Sequence, residues 1–241
     1  GIGLSVPEIA WRKSPDAAGR LSVRGALGSP VTIDRLELEG AGLSVAGKVL
    51  LKADGALDRV LLGRASLGGW FDGTLELIGR GRGRTVGVQI TSARADMRKA
   101  SFGGRNGDAP VSIALDRLTV SEGIALTGFR GDFTSRGGFA GEFTARLNGQ
   151  VDILGTVAPF GSRSGFRIRS SDAGKVMRAA GIFERGAGGA LDMTMRPTDQ
   201  NGHYDGTVNI SNIRVIDAPV LAGMLDAISV VGLLNQLSGP G

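Results

Sequence analysis

Cysteine is absent from this chain of 241 residues, and the only histidine is His203. The lack of cysteine excludes disulfide bonds, thiol catalysis and thiolate metal sites. One histidine cannot build a metal site that needs several of them. Proline is scarce, with 8 residues, and aromatic residues make up 5% of the chain. Because thiols are missing, histidine occurs once and the other candidates for chemistry are weak, we expect no enzyme activity, no metal site and no cofactor.

The remaining candidates for chemistry are weak. His203 lies in the turn-like stretch QNGHYDG, which favours a solvent-exposed loop histidine over a general base. Ser171 and Asp172 fit a helix N-cap better than a catalytic pair. The scattered aspartates do not repeat at the spacing of a calcium-binding loop, and they are typical of turns.

Positive charge exceeds negative charge by 5, and it is spread along the chain. A spread charge indicates mild attraction to anionic surfaces and not a nucleic-acid footprint. The stretch GRGRGR (79–84) is typical of Gly/Arg-rich RNA-binding tracts, but it is short and has no interleaved aromatic residues. We interpret it as a hairpin turn whose arginines face water, with a contact to anionic headgroups as the alternative. No nucleic-acid partner is expected.

Glycine is what the sequence has in excess, with 41 residues, against a usual share of about 7%. These glycines follow no collagen period of three. Inside strands, glycine marks bulges, bends and close backbone approach. Many of them also precede an alternating stretch, as in GTLEL (73–77) and GTVNIS (206–211). This pattern predicts a meander of hairpins with bent strands.

Stretches in which apolar and polar residues alternate dominate the sequence. In GLSVAGKVLLK, Leu43, Val45 and Val49 fall on one side, and Ser44, Ala46 and Lys48 fall on the other. The same alternation occurs in WFDGTLELIG, TVGVQIT, APVSIALD, GGFAGEFTARL and GQVDILGTV. A period of two with one polar face predicts antiparallel strands. The chain is therefore predicted to be mainly β and built of antiparallel strands.

The composition of the apolar face leaves two arrangements open. It consists of Leu, Val, Ile and Phe, thinned by glycine and alanine. One arrangement is an ordinary closed sandwich core, although such cores usually contain larger aromatic side chains. The other is a strongly curved sheet whose concave side remains an apolar trough, able to hold acyl chains.

Two segments near the C-terminus break the alternation and predict short amphipathic helices. Residues 170–183 begin with Ser171 and Asp172 as possible N-caps, and Gly181 is a natural stop. Residues 218–237 carry one charge, Asp226, and can be capped by Asp217. Their polar residues and glycines argue against a membrane span. Four residues share one face of this second helix, namely Leu221, Met224, Leu225 and Ile228.

The last third of the chain combines four motifs: the predicted helix after Ser-Asp, the Gly-Gly at 188–189, the DAP at 217–219 and an LxxLSGxG-like ending at 234–241. With these motifs it resembles the AsmA-like C-terminal region of the AsmA/YhdP/TamB-type envelope proteins of diderm bacteria, most closely the YhdP type. The first two thirds are similar in texture only, as in TIDRLELEGAGLSVAGKV. The resemblance implies that residues 1–241 are one AsmA-like β-groove domain, with a long curved antiparallel sheet that forms an open groove, and a fragment of a longer chain. Residues 170–241 would be its helix-containing part that closes the groove.

The resemblance implies a role in lipid transport through the periplasm. The parent protein would be anchored in the inner membrane, and the groove would conduct phospholipid acyl chains between the inner and outer membranes. The family has no catalytic residues to assign. We expect the following residues to line the groove: Leu43, Val45, Val49, Phe71, Leu75, Val88, Ile90, Ile113, Phe139 and Phe143. We expect Leu221, Met224, Leu225 and Ile228 to form a C-terminal gate or plug.

An alternative hypothesis needs no lipid. The domain would then be a structural or regulatory envelope module that binds protein partners by edge pairing of its sheet and affects outer-membrane assembly. Phospholipid that co-purifies in stoichiometric amounts would favour the first hypothesis. A lipid-free monomer that captures a protein partner would favour the second.

Overall fold

The computed structural model describes residues 4–6, 11–26, 28, 31–100, 108–135, 138–161, 163–200 and 203–216. Over these residues the chain is mainly β and contains one short helix. It divides into two compact units. Unit 1 comprises Gly1–Leu118 and Asp132–Gly137, and unit 2 comprises Thr119–Gly131 and Gly138–Gly241.

The elements are numbered in chain order. The strands are β1 (Leu4–Val6), β2 (Trp11–Lys13), β3 (Gly19–Ala26), β4 (Thr32–Gly40), β5 (Leu43–Leu51), β6 (Leu57–Leu67), β7 (Phe71–Ile78), β8 (Gly87–Asp96), β9 (Pro110–Thr119), β10 (Ala125–Thr134), β11 (Ala140–Leu147), β12 (Val151–Phe160), β13 (Arg163–Ser170), β14 (Gly186–Ala187), β15 (Ala190–Pro197), β16 (Tyr204–Ser211) and β17 (Arg214–Val215). The helix α1 spans Ala173–Ala179 and lies between β13 and β14.

Thirteen strands form one open sheet in the order β16-β15-β13-β12-β11-β10-β9-β8-β7-β6-β5-β4-β3. The sheet is mostly antiparallel and does not close on itself, so β3 and β16 are its edge strands. Two small sheets pair β1 with β2 and β14 with β17. The predicted fold class, a mainly β chain with a long open antiparallel sheet, is confirmed. Most neighbouring strands are also consecutive in the sequence, as expected for a meander of hairpins.

Three strands of unit 1 contain an extra residue relative to their neighbours. The register shifts involve residues 34–35 in β4, 63–64 in β6 and 91–92 in β8. Such a bulge bends its strand and increases the local twist. The three bulges lie on alternate strands at nearly the same level, so we expect the bends to add up along a line across the strands. We call this line the crease of unit 1.

Glycine makes the crease possible. A Cβ atom at Gly47, which faces the bulge of β6, would overlap the backbone carbonyl of Leu61. At the bulge itself, Gly63 supplies one of the two residues. The excess of glycine thus corresponds here to close backbone approach and bending, as the sequence predicted. In unit 2 the pairs β11/β12, β12/β13, β13/β15 and β15/β16 keep an unbroken register.

The helix α1 packs within unit 2. Its N-cap is Asp172, whose side chain accepts a hydrogen bond from the backbone N–H of Lys175. Its buried residues include Ala173 and Met177. Gly181, just after the C-cap, has φ +70°, a left-handed conformation that glycine adopts without strain. The predicted helix within residues 170–183 is therefore present, although it is shorter than that range.

The second predicted helix, residues 218–237, lies outside the described residues. Among the described residues, no helix has the length and apolar character needed to cross a membrane.

Candidate functional site

One face of the sheet in unit 1 is apolar throughout, from β3 to β8. The strand registers align its residues in four rows of six that run across the strands. The first row is Gly19, Gly40, Leu43, Leu67, Phe71 and Ala95. The second is Leu21, Leu38, Val45, Ala65, Gly73 and Ala93, the third is Val23, Leu36, Gly47, Leu62, Leu75 and Ile90, and the fourth is Gly25, Ile33, Val49, Val60, Leu77 and Val88. No member of these rows carries a charge or a side-chain hydrogen-bonding group.

Burial changes from the first row to the fourth. In the first row, Leu43, Leu67 and Phe71 are buried, with exposed fractions of 7–8%. In the second row, Ala65 and Ala93 are almost fully buried, Leu38 and Val45 are half-buried, and Leu21 on the edge strand is exposed. In the third and fourth rows most side chains are only half-buried, and we call these two the open rows. The open rows therefore retain apolar surface that water still reaches.

The crease runs beside the open rows. In β6 and β8 the bulges separate the second row from the third, and in β4 the bulge separates the third row from the fourth. From the bulges in β6 and β8 we expect a bend that sets the open rows of these strands at an angle to their first two rows. Within the described residues of unit 1, no helix is present to cover this face.

Seven of the predicted groove residues share the apolar face of unit 1. Leu43 and Phe71 lie in the buried first row. Val45 lies in the second row, and the remaining four, Val49, Leu75, Val88 and Ile90, lie in the open rows.

The other three predicted groove residues lie outside these four rows. Ile113 is half-buried in β9 of unit 1, between the buried residues Val111 and Leu115. In unit 2, Phe143 is 8% exposed, and it stacks on Phe129. Phe139 is half-buried and immediately precedes β11. The four predicted gate residues, Leu221, Met224, Leu225 and Ile228, lie outside the described residues.

Sequence reasoning missed several members of the apolar face. In β6, Leu62 and Ala65 belong to adjacent rows although they are three positions apart, because the bulge at residues 63–64 interrupts the alternation. The signal available in the sequence was the glycine in VLLGRASL, because the apolar positions before it and those after it do not belong to one period of two. In β4, Leu36 and Leu38 alternate clearly with Glu37 and could have been found by the same rule.

Unit 2 carries a different feature on the polar face of its sheet. A depression of about 840 Å³ lies there, lined by residues of β10 to β13, β15 and β16 and by Ser171. Its arginines are Arg130, Arg146 and Arg169, and its acidic residues are Asp152 and Asp192. Leu154 also lines it, and this side chain is 51% exposed although β12 is an inner strand. We call this feature the arginine depression.

Ion pairs organise the charges of the arginine depression. Arg146 Nε lies 3.4 Å from Asp152 Oδ1. Arg167 Nε and Nη2 donate to the two carboxylate oxygens of Asp192, at 2.9 and 2.5 Å. This paired hydrogen bond lowers the pKa of Asp192, and the charge of Arg169 adds to that effect. The same pair raises the pKa of Arg167.

The GRGRGR turn is more tightly held than the sequence indicated. Arg80 is half-buried, and its guanidinium donates to the carboxylate and the backbone carbonyl of Asp108. Arg82 donates to the carbonyl of Asp54, whereas Arg84 is exposed. The expectation that all three arginines simply face water was therefore wrong for Arg80, which anchors the turn.

No catalytic arrangement emerges from the described residues. His203 is exposed, and within the described part of the chain no group of three or more His, Asp or Glu side chains is placed to hold a metal ion. Comparison with family models, with curated proteins and with solved structures finds no significant match to this chain.

Proposed function

We propose that the apolar face of unit 1 binds the acyl chains of phospholipids. The observation that carries this proposal is the set of four rows, which continue without a charged or polar member across six strands. A hydrocarbon chain requires such a surface, because any buried polar group without a partner would cost free energy. The open rows supply the accessible part of the surface.

The same rows suit conduction better than tight capture. Burial of one methylene group stabilises the bound state by about 0.8 kcal/mol, wherever on the face it lies. Each strand adds a similar set of aliphatic residues, so neighbouring positions bind with similar free energy. A lipid can then move across the strands without passing a deep trap. On this basis, and on the resemblance of the last third to AsmA-like proteins, the chain is a periplasmic domain that conducts phospholipids between the inner and outer membranes.

A charge on the open rows tests the proposal. Leu75→Asp and Val88→Asp each place a carboxylate on this face. The control Gln89→Asp places one on the exposed opposite face of β8, the strand that contains Val88. The measurements are crosslinking of a photoactivatable phospholipid, mass spectrometry of co-purified lipid and the β circular-dichroism signal. We expect the first two variants to lose lipid while they keep the β signal, and Gln89→Asp to behave as wild type. Lipid binding that persists with a charge at both positions would rule the proposal out.

One observation favours the alternative role in protein binding. Among the strands that the structure describes, none pairs with the outer side of the edge strand β3, whose Leu21 and Val23 are 60% and 53% exposed. Exposed apolar edge strands are sites of β-augmentation. A structural module would therefore add a partner strand at β3. Ser22→Pro, which removes a backbone donor, should abolish capture of a protein partner without reducing bound phospholipid.

A further inference from the structure

We infer that the arginine depression of unit 2 is a binding site for a phosphate monoester attached to a hydrocarbon chain. The inference rests on the polar face of unit 2 and is independent of lipid binding by the apolar face of unit 1. It is argued from the charge that the depression leaves uncompensated, from an exposed apolar side chain in its lining and from the size of the cavity.

The charges of the depression do not balance. Both carboxylates of the depression have arginine partners: Asp152 pairs with Arg146, which also lines the depression, and Asp192 pairs with Arg167, which does not line it. Within the described residues, Arg130 and Arg169 form no salt bridge, although the positive charge of Arg169 helps to lower the pKa of Asp192. With both carboxylates neutralised in this way, the charges of Arg130 and Arg169 are left uncompensated, and these two positive charges attract a dianion.

A phosphate monoester matches this excess. It carries a charge of about −1.5 to −2 at pH 7, because its second pKa is about 6. Guanidinium groups bind phosphate oxygens through paired, charge-assisted hydrogen bonds. A carboxylate carries one charge and would neutralise only half of the excess. Thr144 and Asn209 also line the depression and add neutral hydrogen-bonding groups.

An exposed apolar side chain, Leu154 of β12, also lines the depression. Leu154 lies directly opposite Thr144 on β11 and Arg169 on β13. An exposed leucine between polar neighbours on an inner strand gains little from folding, because most of its surface stays in water. A ligand with a hydrocarbon chain can cover it while the arginines hold the phosphate. The cavity of about 840 Å³ is large enough for both parts, since small-molecule sites measure roughly 300–1,000 Å³.

The experiment titrates the wild-type chain with dodecyl phosphate, with inorganic phosphate and with dodecanol at pH 7.5, and it follows binding by isothermal titration calorimetry below the micelle concentration. We expect dodecyl phosphate to bind saturably at one site. Inorganic phosphate and dodecanol should each bind with an affinity lower by about tenfold or more. Arg169→Gln and Arg130→Gln should each weaken dodecyl phosphate binding by about tenfold. Leu154→Ser should remove the advantage of dodecyl phosphate over inorganic phosphate. Binding should also weaken as the pH falls below about 6, because the monoester takes up a proton.

The control is Arg196→Gln. Arg196 is an exposed arginine on the same face of β15, but it does not line the depression, so this variant should bind as wild type. Equal losses in Arg196→Gln and Arg169→Gln would indicate general attraction to a basic surface and overturn the inference. Binding that survives Arg169→Gln and disappears in Leu75→Asp would place the probe on the apolar face of unit 1 and overturn it as well. Equal affinity for inorganic phosphate and dodecyl phosphate would show a plain anion site, without the hydrocarbon contact.

Discussion

The ring of Phe143 lies over Gly155, its direct partner on the adjacent strand β12. A Cβ atom at residue 155 would overlap the ring, which is buried and also stacks on Phe129 with 4.8 Å between the ring centroids. The ring therefore has little room to move. We expect Gly155→Ala to lower the free energy of unfolding by about 1–3 kcal/mol, the usual cost of overpacking a core. Urea denaturation followed by circular dichroism measures this change.

Gly123→Ala is the matched control. Gly123 belongs to the same unit, has no positive φ, and has open space where a Cβ atom would be placed. Its carbonyl, which accepts a hydrogen bond from Asn148, is kept in the variant. We expect Gly123→Ala to change stability by no more than about 0.5 kcal/mol. If both variants were equally stable, the packing of Phe143 against Gly155 would not constrain the core.

The sequence was sufficient for the fold class because a period of two is visible within a single strand. Alternation placed Leu43, Val45 and Val49 on one face, and the registers agree. The bulges could not be predicted fully. A run such as VLLGRASL shows where the alternation of apolar and polar residues breaks, but not which strand pairs with it at that point. The arginine depression was also missed, because it depends on cross-strand neighbours. Leu154 lies opposite Arg169, and only the register between β12 and β13 shows it.

A photo-crosslinking scan along β8 can separate the proposed lipid surface from its opposite face. Simple alternation predicts labelling of every second residue. The bulge changes this, because Thr91 and Ser92 both lie on the polar side, where Thr91 Oγ1 lies 3.0 Å from Thr74 Oγ1 and Ser92 Oγ donates to Asp116.

We therefore expect phospholipid labelling from positions 88, 90 and 93 and none from 89, 91 and 92, with residue 93 the weakest because Ala93 is buried. The readout is a mass shift of the chain after irradiation. Uniform labelling across the scan would mean that lipid does not discriminate between the two faces of unit 1.

Asn148 joins three segments of unit 2 through one side chain. Its Oδ1 accepts the backbone N–H of Ala125 at 2.8 Å, and its Nδ2 donates to the carbonyls of Gly123 and Ala179 at 2.8 and 2.7 Å. Its φ of 47° lies in the left-handed region, which asparagine and glycine tolerate. Loss of the three bonds should cost about 3 kcal/mol.

Two variants separate the stabilising effect of the side-chain hydrogen bonds from that of the left-handed backbone conformation. Asn148→Gly loses the bonds alone, whereas Asn148→Ala also strains the backbone, so we expect the order of stability wild type, then Gly, then Ala. Urea midpoints give the order directly. An alanine variant more stable than the glycine variant would contradict the role of the left-handed backbone.

The N-cap of α1 should make part of the stability depend on pH. The Asp172 carboxylate accepts the N–H of Lys175 at 2.9 Å, and this hydrogen bond lowers its pKa below the ordinary value of 3.8. A lowered folded-state pKa means that the stabilisation is complete above the unfolded-state value and is lost as the pH falls through the folded-state value. Asp172→Asn keeps a capping oxygen but does not titrate. We expect the difference in melting temperature between wild type and this variant to shrink as the pH falls from about 5 to about 2.

Asp199→Asn, at an exposed loop carboxylate without a capping bond, serves as the control. A difference between wild type and Asp172→Asn that stays constant over this range would show that the charge on Asp172 does not stabilise the helix.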